Sequence, residues 1–225
     1  MNSIQENINK IKQNIPNYVT IIAVSKFQPI EKIQSAYDAG HRDFGENYVQ
    51  EMVDKYQVLP KDIHWHFIGH LQTNKVKYIV PFVHLIHSVD SLKLLKEINK
   101  QAEKNQRVVS CLLQIHIAEE ETKFGLSSQE ALDILSSEEL KSFQFIKIKG
   151  LMGMATNTDN TEQIKKEFLS LKSIFDQFKN TLHLPNVQFE ILSMGMSNDY
   201  PIAIECGSNA IRIGTLIFGE RPTKN

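Results

Sequence analysis

The sequence predicts an α/β chain folded as a single closed (β/α)8 TIM barrel with an extra helix at its N-terminus. Three observations carry this reading. Short, nearly continuous apolar segments recur eight times along the 225 residues, helical segments stand between them, and polar and glycine residues gather where the apolar segments end. An open doubly wound sheet is the competing architecture, because periodicity alone does not show closure. The absence of G-x-G-x-x-G after the first strand weakens its dinucleotide-binding version.

At the N-terminus, Ile4, Ile8, Ile11 and Ile15 recur at helical spacing and Pro16 follows, so residues 1–15 predict an amphipathic helix that packs on the rest of the fold. VTIIAVSKF (19–27) is a β-branched run and predicts the first strand; EKIQSAYDAG (31–40) predicts a helix closed by Gly40. The alternation then repeats. DFGEN leads to a helix over 49–56, HWHFIGH to 74–80, HLIHSVD to 92–103, VVSCLLQIHI to 129–135, FQFIKIKGLMGM to 161–180 and VQFEILSMG to 199–205, with AIRIGTLIF as the last strand. No low-complexity or Pro-rich linker interrupts the series. Residues 1–225 are therefore expected to form one domain, with the barrel over 19–218 and no second catalytic domain.

Lys and Arg number 25 against 26 Asp and Glu, which leaves no excess positive charge to displace counterions from a nucleic-acid backbone. Cys111 and Cys206 lie far apart among apolar neighbours, as suits a reduced chain. The first residues hold no apolar leader, Glu6 argues against an Arg-rich transit peptide, and no run approaches the roughly 20 apolar residues that span a bilayer. The expectation is a soluble, cytoplasmic monomer that partners neither nucleic acid nor membrane.

Functional groups of such a barrel gather where strands give way to βα loops. Lys26 follows TIIAVS directly, so its ammonium emerges from an apolar strand at the barrel mouth. Desolvation there disfavours the charged form, as a Schiff-base lysine requires; a side chain snorkelling to water is the plain alternative. Gly195, Gly207 and Gly214 stand with Ser193, Ser197, Ser208 and Thr215, a set that suits a phosphate site after strands seven and eight and equally suits turn glycines and capping serines. Arg212 shares the face of Gly214 and points into the barrel, where it needs either a ligand or an ion pair with Glu190 or Glu205. His64, His66 and His70 raise a metal site, the first two sharing a strand face, but structural histidines are the preferred reading and no metal is expected. Glu119 to Glu121 read as a solvated acidic loop, and Met152, Met154, Met194 and Met196 suit a flat ring or an ordinary core.

The segments AVSKFQP, FGENYVQE, WHFIGHLQTNK, HSVDS, GLMGMAT, LSMGMSNDYPIAIECGSNAIRIGT and IFGER run in this order across nearly the whole chain. They closely resemble the pyridoxal phosphate homeostasis protein family of YggS and PROSC type, which is related to the barrel domain of alanine racemase. The resemblance implies a fold-type III barrel for pyridoxal 5′-phosphate (PLP), with a Schiff base on Lys26. It further implies a phosphate held by Ser193 and by the backbone N–H groups of Gly214 and Thr215, with an added contact from Ser208. Asn47 would lie near the ring, Met194 against the cofactor, and Arg212 near the pyridine nitrogen. Lys123 takes the place of a lysine in the family's K-x-G loop, but Phe124 stands where many relatives have a small residue, and no catalytic role is assigned to it. The tail RPTKN carries only Lys224, so a role for paired tail lysines transfers poorly.

PLP withdraws electrons best when its pyridine nitrogen is protonated, and an arginine beside that nitrogen opposes protonation. Racemisation also needs a proton donor or acceptor on each face of a substrate; Lys26 serves one face and the sequence offers no convincing base for the other. The sequence thus predicts a PLP-binding protein of intracellular PLP homeostasis rather than an enzyme, with no catalytic residues assigned. It would hold PLP as an internal aldimine on Lys26 and buffer it or pass it to apo-enzymes. A minimal PLP-dependent amino-acid racemase is the alternative, and a metal-dependent hydrolase built on His64 and His66 is the third reading.

Overall fold

Among the described residues, eight strands pair in parallel in chain order and close on themselves, the last hydrogen-bonding to the first. The computed structural model describes residues 3–120 and 124–220. The chain runs α1 (Ile4–Gln13), β1 (Thr20–Val24), α2 (Ile30–Asp38), β2 (Asp43–Glu46), α3 (Val49–Val58), β3 (His64–Phe67), α4 (Val76–Ile79), β4 (Leu85–Val89), α5 (Leu92–Lys104) and β5 (Val109–His116). It continues through α6 (Ser128–Ser136), α7 (Glu138–Ser142), β6 (Ile146–Met154), α8 (Thr161–Thr181), β7 (Val187–Met196), α9 (Tyr200–Glu205), β8 (Ala210–Ile213) and α10 (Thr215–Phe218). Closure rests on the register Thr20↔Ala210 through Ala23↔Ile213, which pairs the edge strands that an open sheet leaves exposed.

Alternation along each strand builds two cores. Ile21, Ala23, Phe44, Trp65, Phe67, Ile211 and Ile213 face outward into one continuous cluster beneath the helices. Leu85, Leu112 and Met152, with Met154 and Ile191 against them, fill part of the lumen. The lumen is otherwise polar toward β2, β3, β4, β7 and β8, and that asymmetry positions the site.

The helix expected over 74–80 is a 3₁₀ turn at Thr73–Lys75 leading into the single turn of α4, and α7 is an additional element after α6. The apolar run AIRIGTLIF does not continue as one strand. It stops at Ile213, Gly214 caps a short helix, and Ile217 and Phe218 are buried from that helix. With so short an α10, the ring of helices has room between α10 and α2, and α1 packs against both. Ile8 and Ile11 are its buried residues, Ser3 and Glu6 form a reciprocal capping box at its start, and Asn7 Nδ2 donates to Ile217 O at 3.0 Å. The first helix is therefore a member of the outer ring at the seam where β8 meets β1. Among the described residues no helix is long and apolar enough to cross a membrane.

Candidate functional site

A cavity of about 460 Å³ opens among the loops that follow β1, β6, β7 and β8, at the C-terminal ends of the strands. Lys26, Asn47, Arg212, Gly214 and Thr215 line it, joined by Ser197 after β7 and Thr156 to Asp159 after β6. Apolar wall comes from Val24, Ile68, Met154, Met196 and Ile202. The volume lies in the range of small-molecule sites, about 300–1,000 Å³.

Lys26 is half-buried in the turn directly after β1. The next residue, Phe27, has φ 62°, a left-handed conformation that a bulky side chain adopts only under compensation. That compensation comes from β2 and α3. Phe27 N donates to Glu51 Oε1 at 2.6 Å, and Ser25 N donates to Gly45 O at 3.0 Å. Lys55 Nζ donates to Ser25 O, Glu46 Oε1 and Glu51 Oε1, each at 2.7 Å. Ser25 Oγ donates to Glu46 Oε1 at 2.6 Å. Glu46 is fully buried and Lys55 nearly so. Burial pushes the Glu46 carboxyl up to about 7, against the pull of Lys55 and of the Ser25 hydroxyl. Two carboxylates and an ammonium, all within FGENYVQE and the next helical turn, thus grip the backbone on both sides of Lys26. Sequence reasoning singled out none of Glu46, Glu51 and Lys55 for this role, although Glu51 and Lys55 stand four apart on one helix.

On β8, the strand that pairs with β1, Arg212 is 4% exposed. Its Nη1 donates to Ser193 Oγ at 2.7 Å and its Nη2 to Gly153 O at 3.0 Å. The ion pair considered with Glu190 is not formed, because Glu190 is held by Lys149 at 2.9 Å, and no hydrogen bond joins Arg212 to Glu205 among the described residues. Burial lowers the Arg212 guanidinium to about 10 while Asp199 opposes the shift, so it remains charged at neutral pH. Ser193 Oγ also lies 2.9 Å from His87 Nδ1, His87 Nε2 lies 2.9 Å from His66 Nδ1, and His66 Nε2 lies 3.1 Å from Asp43 Oδ1. His66 therefore works inside the lumen, while His64 is exposed beside Asp43. No group of three or more His, Cys, Asp or Glu among the described residues is arranged to hold a metal ion.

The structure brings Lys26, Asn47, Arg212, Gly214 and Thr215 together but leaves Ser193, Met194 and Ser208 out of the cavity wall. Ser193 precedes the end of β7 by three residues, so it sits deeper in the barrel with its hydroxyl bonded to Arg212 and His87. Met194 has the opposite parity and is fully buried in the outer core. Ser208 precedes β8, at the far end of that strand from Gly214, and its buried hydroxyl donates to Met194 O at 2.7 Å. The serine at the wall is Ser197, whose hydroxyl accepts from Gly214 N at 3.4 Å. The rule that ligands sit beyond strand ends favours Ser197 over Ser193, and that was the signal available.

Asn47 is seated by a close backbone approach: a Cβ on Gly69 would lie 2.2 Å from Asn47 O, so only glycine passes there. Asn47 Oδ1 and Gln28 Oε1, both from residues of the cavity wall, are buried and make no hydrogen bond among the described residues. The acidic loop is docked rather than simply solvated, with Glu119 N donating to Thr156 Oγ1 at 3.0 Å and Glu120 Oε1 accepting from Asn157 N at 2.8 Å. Glu121, Lys123 and the tail RPTKN lie outside the described residues.

Comparison with known proteins places these features in context. The alanine racemase N-terminal domain family matches residues 1–222. The pyridoxal phosphate homeostasis protein of Haemophilus influenzae is 39% identical over 232 residues, spanning 97% of this chain and 96% of that protein. The structure of PipY from Synechococcus elongatus PCC7942 with PLP bound has a TM-score of 0.86 at 32% identity, over 96% of this chain and 100% of that one. An alanine racemase from Clostridium difficile in complex with cycloserine shares the fold at a TM-score of 0.79 and 16% identity, 99% of this chain covering 60% of that one.

Proposed function

This chain belongs to the pyridoxal phosphate homeostasis protein family, built on the alanine racemase N-terminal domain, and from that premise we propose that it binds PLP covalently through Lys26 and serves as its carrier. The observation that carries the reading is the convergence on one cavity of an amine, a buried guanidinium and a hydroxyl-lined turn, from Lys26, Arg212 and Ser197 with Gly214 and Thr215. Each matches one part of PLP: the aldehyde, the ring nitrogen and the phosphate. The buried and unsatisfied Asn47 Oδ1 and Gln28 Oε1 fit a polar ligand as well, because buried polar atoms in folded proteins are rarely left without partners.

Bound PLP supplies an electrophilic aldehyde on a ring that can delocalise negative charge. The protein's own groups restrain the second property. Arg212 holds a fixed positive charge where the ring nitrogen is expected, and this disfavours protonation there and leaves a weak electron sink. The turn at Gly214 and Thr215 lies on the cavity wall at the start of α10, where its backbone N–H groups would donate to an anion. The Ser25–Glu46–Lys55–Glu51 network fixes the turn bearing Lys26, which limits how far that amine moves. A fixed lysine-bearing turn, an anion cradle and a weak electron sink favour keeping a reactive aldehyde and releasing it to apo-enzymes over turning over amino acids.

The test is the absorption spectrum of purified protein with PLP, before and after Lys26→Ala. The native protein is expected to show a band distinct from free PLP, and the variant to lose it. A variant that keeps the band unchanged refutes the role of Lys26 and makes Lys123 the next candidate. Release is checked by adding an apo PLP enzyme to the loaded protein and following its recovery of activity.

A further inference from the structure

We propose that Asp43, His66, His87 and Ser193 are positioning residues for Arg212, joined in one polarised chain of hydrogen bonds that crosses the lumen from the opposite end of the barrel to the cavity wall. This inference rests on the PLP reading of the cavity for its consequence, though not for its geometry. The links measure 3.1 Å from Asp43 to His66, 2.9 Å from His66 to His87, 2.9 Å from His87 to Ser193 and 2.7 Å from Ser193 to Arg212. They pass through β2, β3, β4, β7 and β8 in turn. Asp43 opens β2 at the N-terminal end of the sheet, and its side chain keeps 26% exposure; His87 and Ser193 are fully buried.

Hydrogen counting fixes the direction. A guanidinium only donates and a carboxylate only accepts, so both ends of the chain are set. Arg212 Nη1–H donates to Ser193 Oγ. Ser193 then places its own proton on His87 Nδ1, the remaining partner of its hydroxyl among the described residues. His87 must therefore carry its proton on Nε2 and donate it to His66 Nδ1, and His66 must carry its proton on Nε2 and donate it to Asp43. One arrangement of two neutral imidazoles satisfies every donor and acceptor. Were His66 doubly protonated, His87 would have to donate toward Ser193, and the Ser193 proton would have no acceptor in a fully buried place. Burial, with His66, Arg212 and His84 adding to it, holds His87 well below the ordinary imidazole range, in keeping with its neutral form.

The chain cannot deliver a proton to the cavity, because its last member does not give one up at neutral pH. What it delivers is position and polarisation. A carboxylate placed directly on Arg212 would cancel the charge that faces the ligand. Asp43 instead stands four hydrogen bonds away, with intervening dipoles aligned from cation to anion, and aligned hydrogen bonds strengthen one another. The guanidinium is thus held through Ser193 and Gly153, and the carboxylate that acts on its charge from the cavity wall is Asp199.

Imidazole ¹⁵N NMR at pH 7, on protein without PLP, tests the chain directly. His66 and His87 are both expected to carry hydrogen on Nε2 alone. Asp43→Ala is expected to shift the His87 ring resonances as well as those of His66, although Asp43 does not touch His87. A proton on Nδ1 of either ring in the native protein, or a His87 signal indifferent to Asp43→Ala, overturns the proposal. The consequence for the ligand is read by titrating PLP into folded Ser193→Ala and following its absorption. Loss of the hydroxyl that anchors the guanidinium is expected to weaken PLP binding about tenfold, with the covalent link to Lys26 still formed. Unchanged affinity and an unchanged band refute the positioning role. Failure of the native protein to bind PLP refutes the cavity reading, while the NMR result still decides the chain.

Discussion

Glu46 shows how much the Lys26 turn depends on a single buried group. Its carboxyl bonds both Ser25 Oγ and Lys55 Nζ, yet burial raises its pKa from 4.5 to about 7. In the folded protein it therefore keeps a proton across a range in which the unfolded chain has lost it. Unfolding releases that proton, so the Glu46 contribution to stability falls as pH rises from about 4.5 to about 7 and is level above. His87 acts in the opposite sense, since a histidine held neutral by burial gains stability as pH rises toward its unfolded value near 6.5 and is level above. The difference between native protein and Glu46→Gln isolates the first effect. In denaturant titrations at pH 5 and pH 7.5, the native protein is expected to lose stability relative to the variant at the higher pH. A constant difference between the two would mean that folding does not raise the Glu46 pKa above the unfolded value.

At the scale of elements, α1 occupies the ring position at the β8–β1 seam and holds α10, the short helix that begins at Thr215 on the cavity wall. Ile8 is 2% exposed, and Ile8→Ala is expected to lower unfolding stability by about 2–5 kcal/mol in chemical denaturation, the range for buried isoleucine truncation. A loss below about 1 kcal/mol would show that α1 packs loosely and does not secure the seam. The eight strands were legible because each is a short apolar run bounded by turn residues. The end of β8 was not, because AIRIGTLIF is apolar throughout and periodicity cannot divide a strand from the buried helix that follows. The parity of β8 sent Arg212 inward correctly. Its partners were not legible, since Ser193 and Gly153 reach it only through the register of β6, β7 and β8 in the closed barrel. Likewise His87 was visible only as part of HSVDS, and its bonds to His66 and Ser193 arise from strands β3, β4 and β7, which the sequence alone does not bring together.

For the whole molecule, a cavity framed by loops from several strands couples ligand binding to global stability. PLP at about one hundred times its dissociation constant is expected to add about 2.7 kcal/mol, provided that it binds the native state alone. For a chain of this size that amounts to a rise in Tm of about 5–10 °C in a thermal scan, reversed by dialysis against an aminothiol that scavenges the aldehyde. No shift at saturating PLP would mean that the cavity does not hold the cofactor. Within that cavity one amine, at the end of β1, is proposed to take the aldehyde. Reductive trapping with borohydride after PLP loading, followed by mass spectrometry of peptides, tests it most directly. A single pyridoxyl modification is expected on the peptide containing Lys26; modification at a different lysine, or none at all, would refute the role of Lys26.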